Sequence, residues 1–192
     1  KRNKNFNLKI DCVSTGKDSN IGRRIFKILP KIGSSSTLLL NGDAILNVNF
    51  KNIYKKHEKK KMDITFLSSQ ITYPYGTIGI VKNKIKDFRR NLIYDSISTR
   101  DNNQYKAFNY SGISLIKTKM LYKYKNLYKS CSNFEQTFFP KIISRYKSDI
   151  VKIDGFWHSI DNVKDLKIVD EKGKKNKKYY LTKKLQKILM KF

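Results

Sequence analysis

Leu38-Leu39-Leu40-Asn41-Gly42-Asp43 constrains this chain more than any other stretch, being a short apolar run that stops at a turn carrying one carboxylate. A brief, continuous apolar run bounded by a turn fits a strand inside a sheet, and that turn then lies at the strand's carboxyl end, where ligands bind in open α/β folds. Gly155-Phe156-Trp157-His158-Ser159-Ile160-Asp161 repeats the pattern far downstream. Two carboxylates meeting at about 4 Å would repel by about 4 kcal/mol in a partly desolvated site. A divalent cation between them turns that repulsion into attraction, and Mg²⁺ is typically held by one or two carboxylates plus substrate phosphates. The pattern points to metal-assisted chemistry on a phosphate. Plainer readings stand beside it: Asp43 after Asn-Gly as a turn former, and Asp161 beside Asn162 as a helix cap.

The rest of the chain alternates strand and helix patterns. Residues 7–13 read as a strand, followed by a polar loop from Ser14 to Asn20. Gly22 to Leu29 reads as a helix stopped near Pro30. Thr37 to Leu40 reads as a strand covered on both faces, Phe50 to Lys60 as a helix and Asp63 to Ser68 as another strand. Gly76–Val81 and Lys84–Phe88, joined by Lys82-Asn83, read as a β-hairpin. Residues 91–104 are polar and read as a loop or lid. Phe108 to Ile116 reads as a strand interrupted at Ser111-Gly112. Helices are expected over 119–128 and 133–146, the latter opened by Asn133 with Glu135 in its first turn. Short strands flank Asp154-Gly155, and Asn162 caps a helix over 163–171. This alternation predicts an α/β fold, a mostly parallel sheet with helices on both faces and an antiparallel hairpin added to it.

At 192 residues the chain is one domain-sized unit able to bury roughly 70% of its unfolded surface. No apolar run approaches the roughly 20 residues of a membrane span, and Lys1-Arg2-Asn3-Lys4-Asn5 lacks a signal-peptide core. Cys12 and Cys131 show no metal-ligand spacing; Cys12 reads as a buried reduced thiol, which suits a cytoplasmic protein. The net charge of +27 has two readings: attraction to nucleic acid or an anionic surface, or lysines spread over every solvated face. The lysines form no single stripe and no zinc-finger or RRM signature accompanies them, so no nucleic-acid partner is expected. Residues 172–178 form a charged linker. Leu181, Leu185, Ile188, Leu189 and Phe192 then mark an amphipathic helix, of a kind that docks more often on its own domain or a partner subunit than on a membrane.

Ser14-Thr15-Gly16, Ile21-Gly22-Arg23-Arg24, Asn41-Gly42-Asp43, Phe134-Glu135 and Gly155-Phe156-Trp157 with Ile160-Asp161 occur in that order. With these anchors the chain resembles the sugar-1-phosphate nucleotidylyltransferases, most closely the glucose-1-phosphate cytidylyltransferase branch, from about Leu8 to Glu171. The resemblance implies a Rossmann-like mixed sheet. It implies attack of a sugar phosphate oxygen on the α-phosphorus of a nucleoside triphosphate (CTP, with glucose 1-phosphate), giving a nucleotide sugar for polysaccharide synthesis. It makes Asp43 and Asp161 the catalytic residues that hold Mg²⁺. It assigns Gly22, Arg24 and Gly42 to the nucleotide. Tyr75, Gly76, Asn109, Glu135 and Arg90 fall to the sugar phosphate, Arg90 standing where the family has the lysine of its E-K-P segment. Ile21 departs from the family's T-G-G-R turn. The family's G-G-x-G-T-R loop has no counterpart here, so residues 1–171 are expected to be an N-terminally truncated domain, inactive on its own, with 172–192 appended and a homo-oligomer possible. Trp157 otherwise reads as a core or wall residue, His57 and His158 as solvated, and Glu135 as a complement to a helix dipole. Two other readings stay open: a catalytically silent relative that binds nucleotide or sugar, and a basic nucleic-acid-binding domain.

Overall fold

The computed structural model describes residues 2–3, 8–130, 133–154 and 156–175. It opens with two paired segments, β1 (Arg2–Asn3) and β2 (Leu8–Lys9). The strand expected over residues 7–13 is confined to this short piece. Residues 10–16 adopt no regular structure, and Cys12 is exposed and not buried as expected, because no ladder covers it. Cys131 and the amphipathic segment beyond Lys175 lie outside the described residues.

Helix α1 (Ile21–Ile28) starts at Asn20, whose side chain accepts the Arg23 N–H, and passes into a 3₁₀ turn over Leu29–Lys31 at Pro30. Then come β3 (Ser36–Leu40), β4 (Ala44–Leu46), α2 (Phe50–Lys59), β5 (Ile64–Ser69) and β6 (Ile71–Tyr73). The hairpin falls where the sequence puts it, as β7 (Thr77–Val81) and β8 (Lys84–Arg89). Lys82 and Asn83 both have positive φ, the mirror-image turn that matches strand twist.

Residues 91–104, expected as a loop or lid, carry strands. β9 (Leu92–Tyr94) pairs with β6, and β10 (Ser96–Ser98) pairs with β11 (Gln104–Lys106). β12 (Asn109–Lys117) runs without a break through Ser111-Gly112, Gly112 taking φ +76°. The single helix expected over 119–128 is two, α3 (Thr118–Lys123) and α4 (Lys125–Tyr128), parted at Tyr124. α5 (Phe134–Ile143), β13 (Ser148–Lys152), β14 (Trp157–Ser159) and α6 (Val163–Lys175) complete the described chain. α6 continues four residues into the expected linker. None of the helices among the described residues is long and apolar enough to cross a membrane.

The main sheet has the order β13-β5-β12-β3. Ile64 N–H donates to Lys147 O and Ile153 N–H to Ser68 O, so β5 and β13 are parallel. Lys117 N–H donates to Asp63 O, which with the Ser111 hydroxyl on Leu67 O sets β12 antiparallel to β5. Thr118 N–H on Ser35 O and Asn41 N–H on Gly112 O set β12 antiparallel to β3 as well. Three of the four strands therefore point one way. This is the mixed α/β sheet with flanking helices that the alternation predicts. β3 itself is only half-buried and Leu40 is exposed, so it is not covered on both faces.

The chain divides into two compact units: residues 1–38, 57–64 and 115–149, and residues 39–56, 65–114 and 150–192. The first has an aromatic core. Phe134 and Phe138 stack at 4.9 Å, Tyr128 meets both edge-on at 5.3 and 5.5 Å, and its hydroxyl donates to Leu121 O. His57, expected in solvent, is 1% exposed, since it follows buried Ile53 by four residues on one face of α2. Burial is the main cause that holds its imidazole below the ordinary pKa. In the second unit the buried residues include Leu67, Ser68, Ser111 and Ile113 of β5 and β12.

Candidate functional site

In the second unit, β4 and β14 pair antiparallel with Ala44 opposite Ser159, Ile45 opposite His158 and Leu46 opposite Trp157. Continued one step, this register sets Asp43 opposite Ile160, and Ile160 N–H donates to Asp43 O at 2.8 Å. The backbones at 43 and 161 therefore meet at one end of a two-stranded ladder, though far apart in sequence. Strict strand alternation would aim the two side chains at opposite faces. Both residues lie past the ends of their strands, with Asp43 in a turn, where the pleat no longer sets direction.

Neither carboxylate is used to cap a helix. The start of α6 is capped by Asn162, whose Oδ1 accepts Lys164 N–H at 2.9 Å and Asp165 N–H at 3.1 Å. Asp165 reaches back to accept Asn162 N–H at 3.2 Å, a reciprocal capping box, and also Asp161 N–H at 3.1 Å. Among the described residues Asp161 Oδ1 accepts only the Ser159 hydroxyl, at 3.2 Å. Asp43 is exposed, and no hydrogen bond or ion pair engages its side chain among the described residues. This donor set fits Mg²⁺, which asks for one or two carboxylates and completes its shell with water and substrate phosphate. No cluster of three or more His, Cys, Asp or Glu able to hold a metal occurs among the described residues, so an all-protein cage is not what this corner offers.

The corner is held by a pair of residues that reads, in sequence, as a break in a strand. Ser111 Oγ donates to Leu67 O at 2.8 Å and Ser111 O accepts the Trp157 indole N–H at 2.9 Å. Trp157 is thus a wall residue tied to β12. At Gly112 an added Cβ would meet the Asn41 amide at 2.8 Å, while Gly112 O accepts Asn41 N–H at 3.0 Å. Only glycine combines this φ with that approach, and it seats Asn41-Gly42-Asp43 on the strand. The signal that could have found it was present: a glycine inside a strand pattern marks close backbone approach as often as a break. Around Gly42 itself a Cβ would meet nothing within 4 Å, leaving room beside Asp43. His158 stands half-buried with Nε2 3.9 Å from Asp165 Oδ1, so it is not the solvated residue expected.

The other predicted residues fall into separate groups. Tyr75, Gly76 and Arg90 gather at the base of the hairpin, where Arg90 Nη2 donates to Pro74 O at 3.4 Å and the Phe88 ring covers Gly76. Asn109 is half-buried as the first residue of β12. In the first unit, Arg24 and Glu135 line one cavity of about 450 Å³ with Ser19, Asn20, Ile21, Asn133 and Phe134. The N-termini of α1 and α5 both open on it, a favourable setting for an anion. Arg24 Nε donates to Ser19 O at 2.7 Å, and burial alone pushes the Glu135 carboxyl above its usual range. Gly22 is buried in the first turn of α1 beside this cavity.

No family model and no curated protein matches the chain. Solved structures do. HddC from Yersinia pseudotuberculosis superposes with a TM-score of 0.50 at 15% identity, over 81% of this chain and 64% of that one. The same protein complexed with GMP-PN gives 0.51 at 15% identity, again over 81% and 64%. A putative glucose-1-phosphate thymidylyltransferase from Bacillus anthracis, in complex with a sucrose, gives 0.53 at 14% identity over 80% of this chain and 60% of its own. The chain spans less than two thirds of the length of these proteins. What is shared at this identity is the fold, a Rossmann-like mixed α/β sheet with flanking helices.

Proposed function

We propose that this chain carries the metal-binding and substrate-binding portion of a sugar-1-phosphate nucleotidylyltransferase. The reaction is attack of the sugar 1-phosphate oxygen on the α-phosphorus of a nucleoside triphosphate, with pyrophosphate leaving and a nucleotide sugar formed. The observation that carries this reading is the β4–β14 register, which brings residues 43 and 161 to one ladder end in a fold shared with such enzymes. Nucleotidyl transfer asks a protein for positioning and charge neutralisation and needs no covalent nucleophile. Mg²⁺, when bound, supplies positive charge against the phosphate oxygens.

Asp43 and Asp161 offer the carboxylate oxygens that hold it, and Asp165 keeps the Asp161 backbone in place through its N–H. Gly42 leaves space for close approach of the nucleotide. Arg24 and Glu135 serve nucleotide and sugar groups from the cavity that they line, and Gly22, in the first turn of α1, serves the nucleotide. Arg90, Tyr75, Gly76 and Asn109 serve the sugar phosphate. CTP and glucose 1-phosphate are the proposed substrates, the nucleotide sugar feeds polysaccharide synthesis in the cytoplasm, and homo-oligomerisation belongs to the same proposal. So does a division into a transferase part, 1–171, and an appended basic segment, 172–192.

A binding-only relative is the second reading, favoured by one observation: Arg89-Arg90-Asn91-Leu92 stands where the resemblance puts the E-K-P segment. The test, on the full-length gene product, is pyrophosphate release from each of the four nucleoside triphosphates with glucose 1-phosphate or mannose 1-phosphate in Mg²⁺. Release with CTP and glucose 1-phosphate, abolished in Asp43→Asn, is the expected result. Calorimetric binding of CTP or the sugar phosphate with no pyrophosphate from any pair would instead establish the binding-only protein.

A further inference from the structure

We propose that the β7–β8 hairpin docks peripherally on an anionic lipid surface, with Ile78, Ile80, Ile85 and Phe88 against the acyl chains and the surrounding lysines among the headgroups. Register puts the four on one face. Ile78 lies opposite Phe88 and Ile80 opposite Ile85, and opposed residues share a face. Positions 85 and 88, three apart, both reach it because a bulge beside Gly79/Ile80 adds one residue to β8. Ile80 is 64%, Ile85 72% and Phe88 65% exposed, and Ile78 is exposed with them. Among the described residues the two strands form a sheet of their own with no third strand. A two-stranded ribbon with a bare apolar face is marginal in water, and such a patch marks an interaction surface.

Charge selects the occupant. Lys82, Lys84 and Lys86 cluster at the turn end, and the one carboxylate, Asp87, is engaged by Arg89 at 2.6 Å. A second copy meeting this face with its strands running the same way would set the same lysines against one another. The four side chains also present less than the roughly 800 Å² per partner of a stable protein interface. Apolar insertion beside several cations is instead the pair of signals that holds a peripheral protein on an anionic bilayer.

The whole chain is strongly basic, so the test must separate insertion from general attraction. Co-sedimentation at physiological salt would use vesicles of phosphatidylcholine alone and of phosphatidylcholine with phosphatidylserine. The parent chain is expected to pellet with the anionic vesicles only, and the charge-neutral variant Ile78→Ser/Ile80→Ser to bind them roughly tenfold more weakly. In Ile85→Trp, emission beyond that of the native Trp157 should shift to the blue and be quenched by brominated lipid. This reporter keeps the test valid if the serine variant disturbs the hairpin. Equal binding by the serine variant, or no shift at position 85, would overturn the proposal and leave charge alone. Failure of the parent to pellet, or a change in oligomeric state with vesicle binding intact, would equally overturn it, the latter assigning the stripe to another copy.

Discussion

The corner where β4 meets β14 and the aromatic cluster around Tyr128 and Phe138 are built on opposite terms. The cluster is buried and stabilised by ring contact: Tyr128 and Phe138 are fully enclosed and Phe134 and Phe139 nearly so. The corner is exposed and held almost wholly by hydrogen bonds, through Ser111, Gly112, Trp157 and Asp165. The lesson is a division of labour. Packing should set how stable the protein is, and the corner should set what it does. Substitutions that mix these effects would break the comparison.

The largest effect is expected at the corner. Asp43→Asn or Asp161→Asn should lower turnover by about 10³-fold or more, about 4 kcal/mol of transition-state stabilisation, with thermal midpoint unchanged. Steady-state pyrophosphate release beside a melting curve checks both halves. A large loss of stability would mean these carboxylates are structural. Phe138→Ala should do the reverse, costing about 3–5 kcal/mol in denaturant unfolding through the lost rings and the cavity. The ratio kcat/KM per folded molecule should stay near the parent value.

Gly112→Ala sharpens the boundary between the two regions, because it lies under the corner yet inside a strand. Its φ and the Asn41 contact predict a cost of about 1–3 kcal/mol together with weaker metal binding, read by unfolding and by Mg²⁺ dependence of rate. Asp165→Ala removes the carboxylate that completes the α6 cap, a loss of about 1 kcal/mol visible as a lower denaturant midpoint. The smallest effect is with pH. His57 has a folded pKa below its unfolded value of 6.5, so the unfolded chain takes up its proton first. Stability should be complete above about pH 6.5 and fall as pH drops through the folded pKa. His57→Leu should flatten that slope in urea midpoints measured across the same range.

Much of this was legible in the chain. The apolar run at Leu38–Leu40, the Lys82-Asn83 turn and the Asn20, Asn133 and Asn162 caps all act locally, and local chemistry decides them. What escaped depends on distant partners. β9 pairs with β6 some twenty residues away, and nothing in the polar segment 91–104 announces that partner. Ser111-Gly112 reads as a break until Asn41 is set against it. His57 was hidden by the lysines around it, although its four-residue spacing from Ile53 placed it on the inner face. Cys12 shows the converse error, an apolar neighbourhood in sequence that no ladder buries. At the corner, the two carboxylates are legible in the sequence, while the register that brings the backbones at 43 and 161 to one ladder end is not.

Mn²⁺ affinity, read by electron paramagnetic resonance in the presence of CTP, is the most direct test of the proposal that the Asp43 and Asp161 side chains share one cation. Parent, Asp43→Asn, Asp161→Asn and the double variant would be titrated side by side. If the two carboxylates share one cation, each single change should weaken binding almost as much as both together. Losses that simply add, or a single variant that binds like the parent, would show that the residues at 43 and 161 act apart.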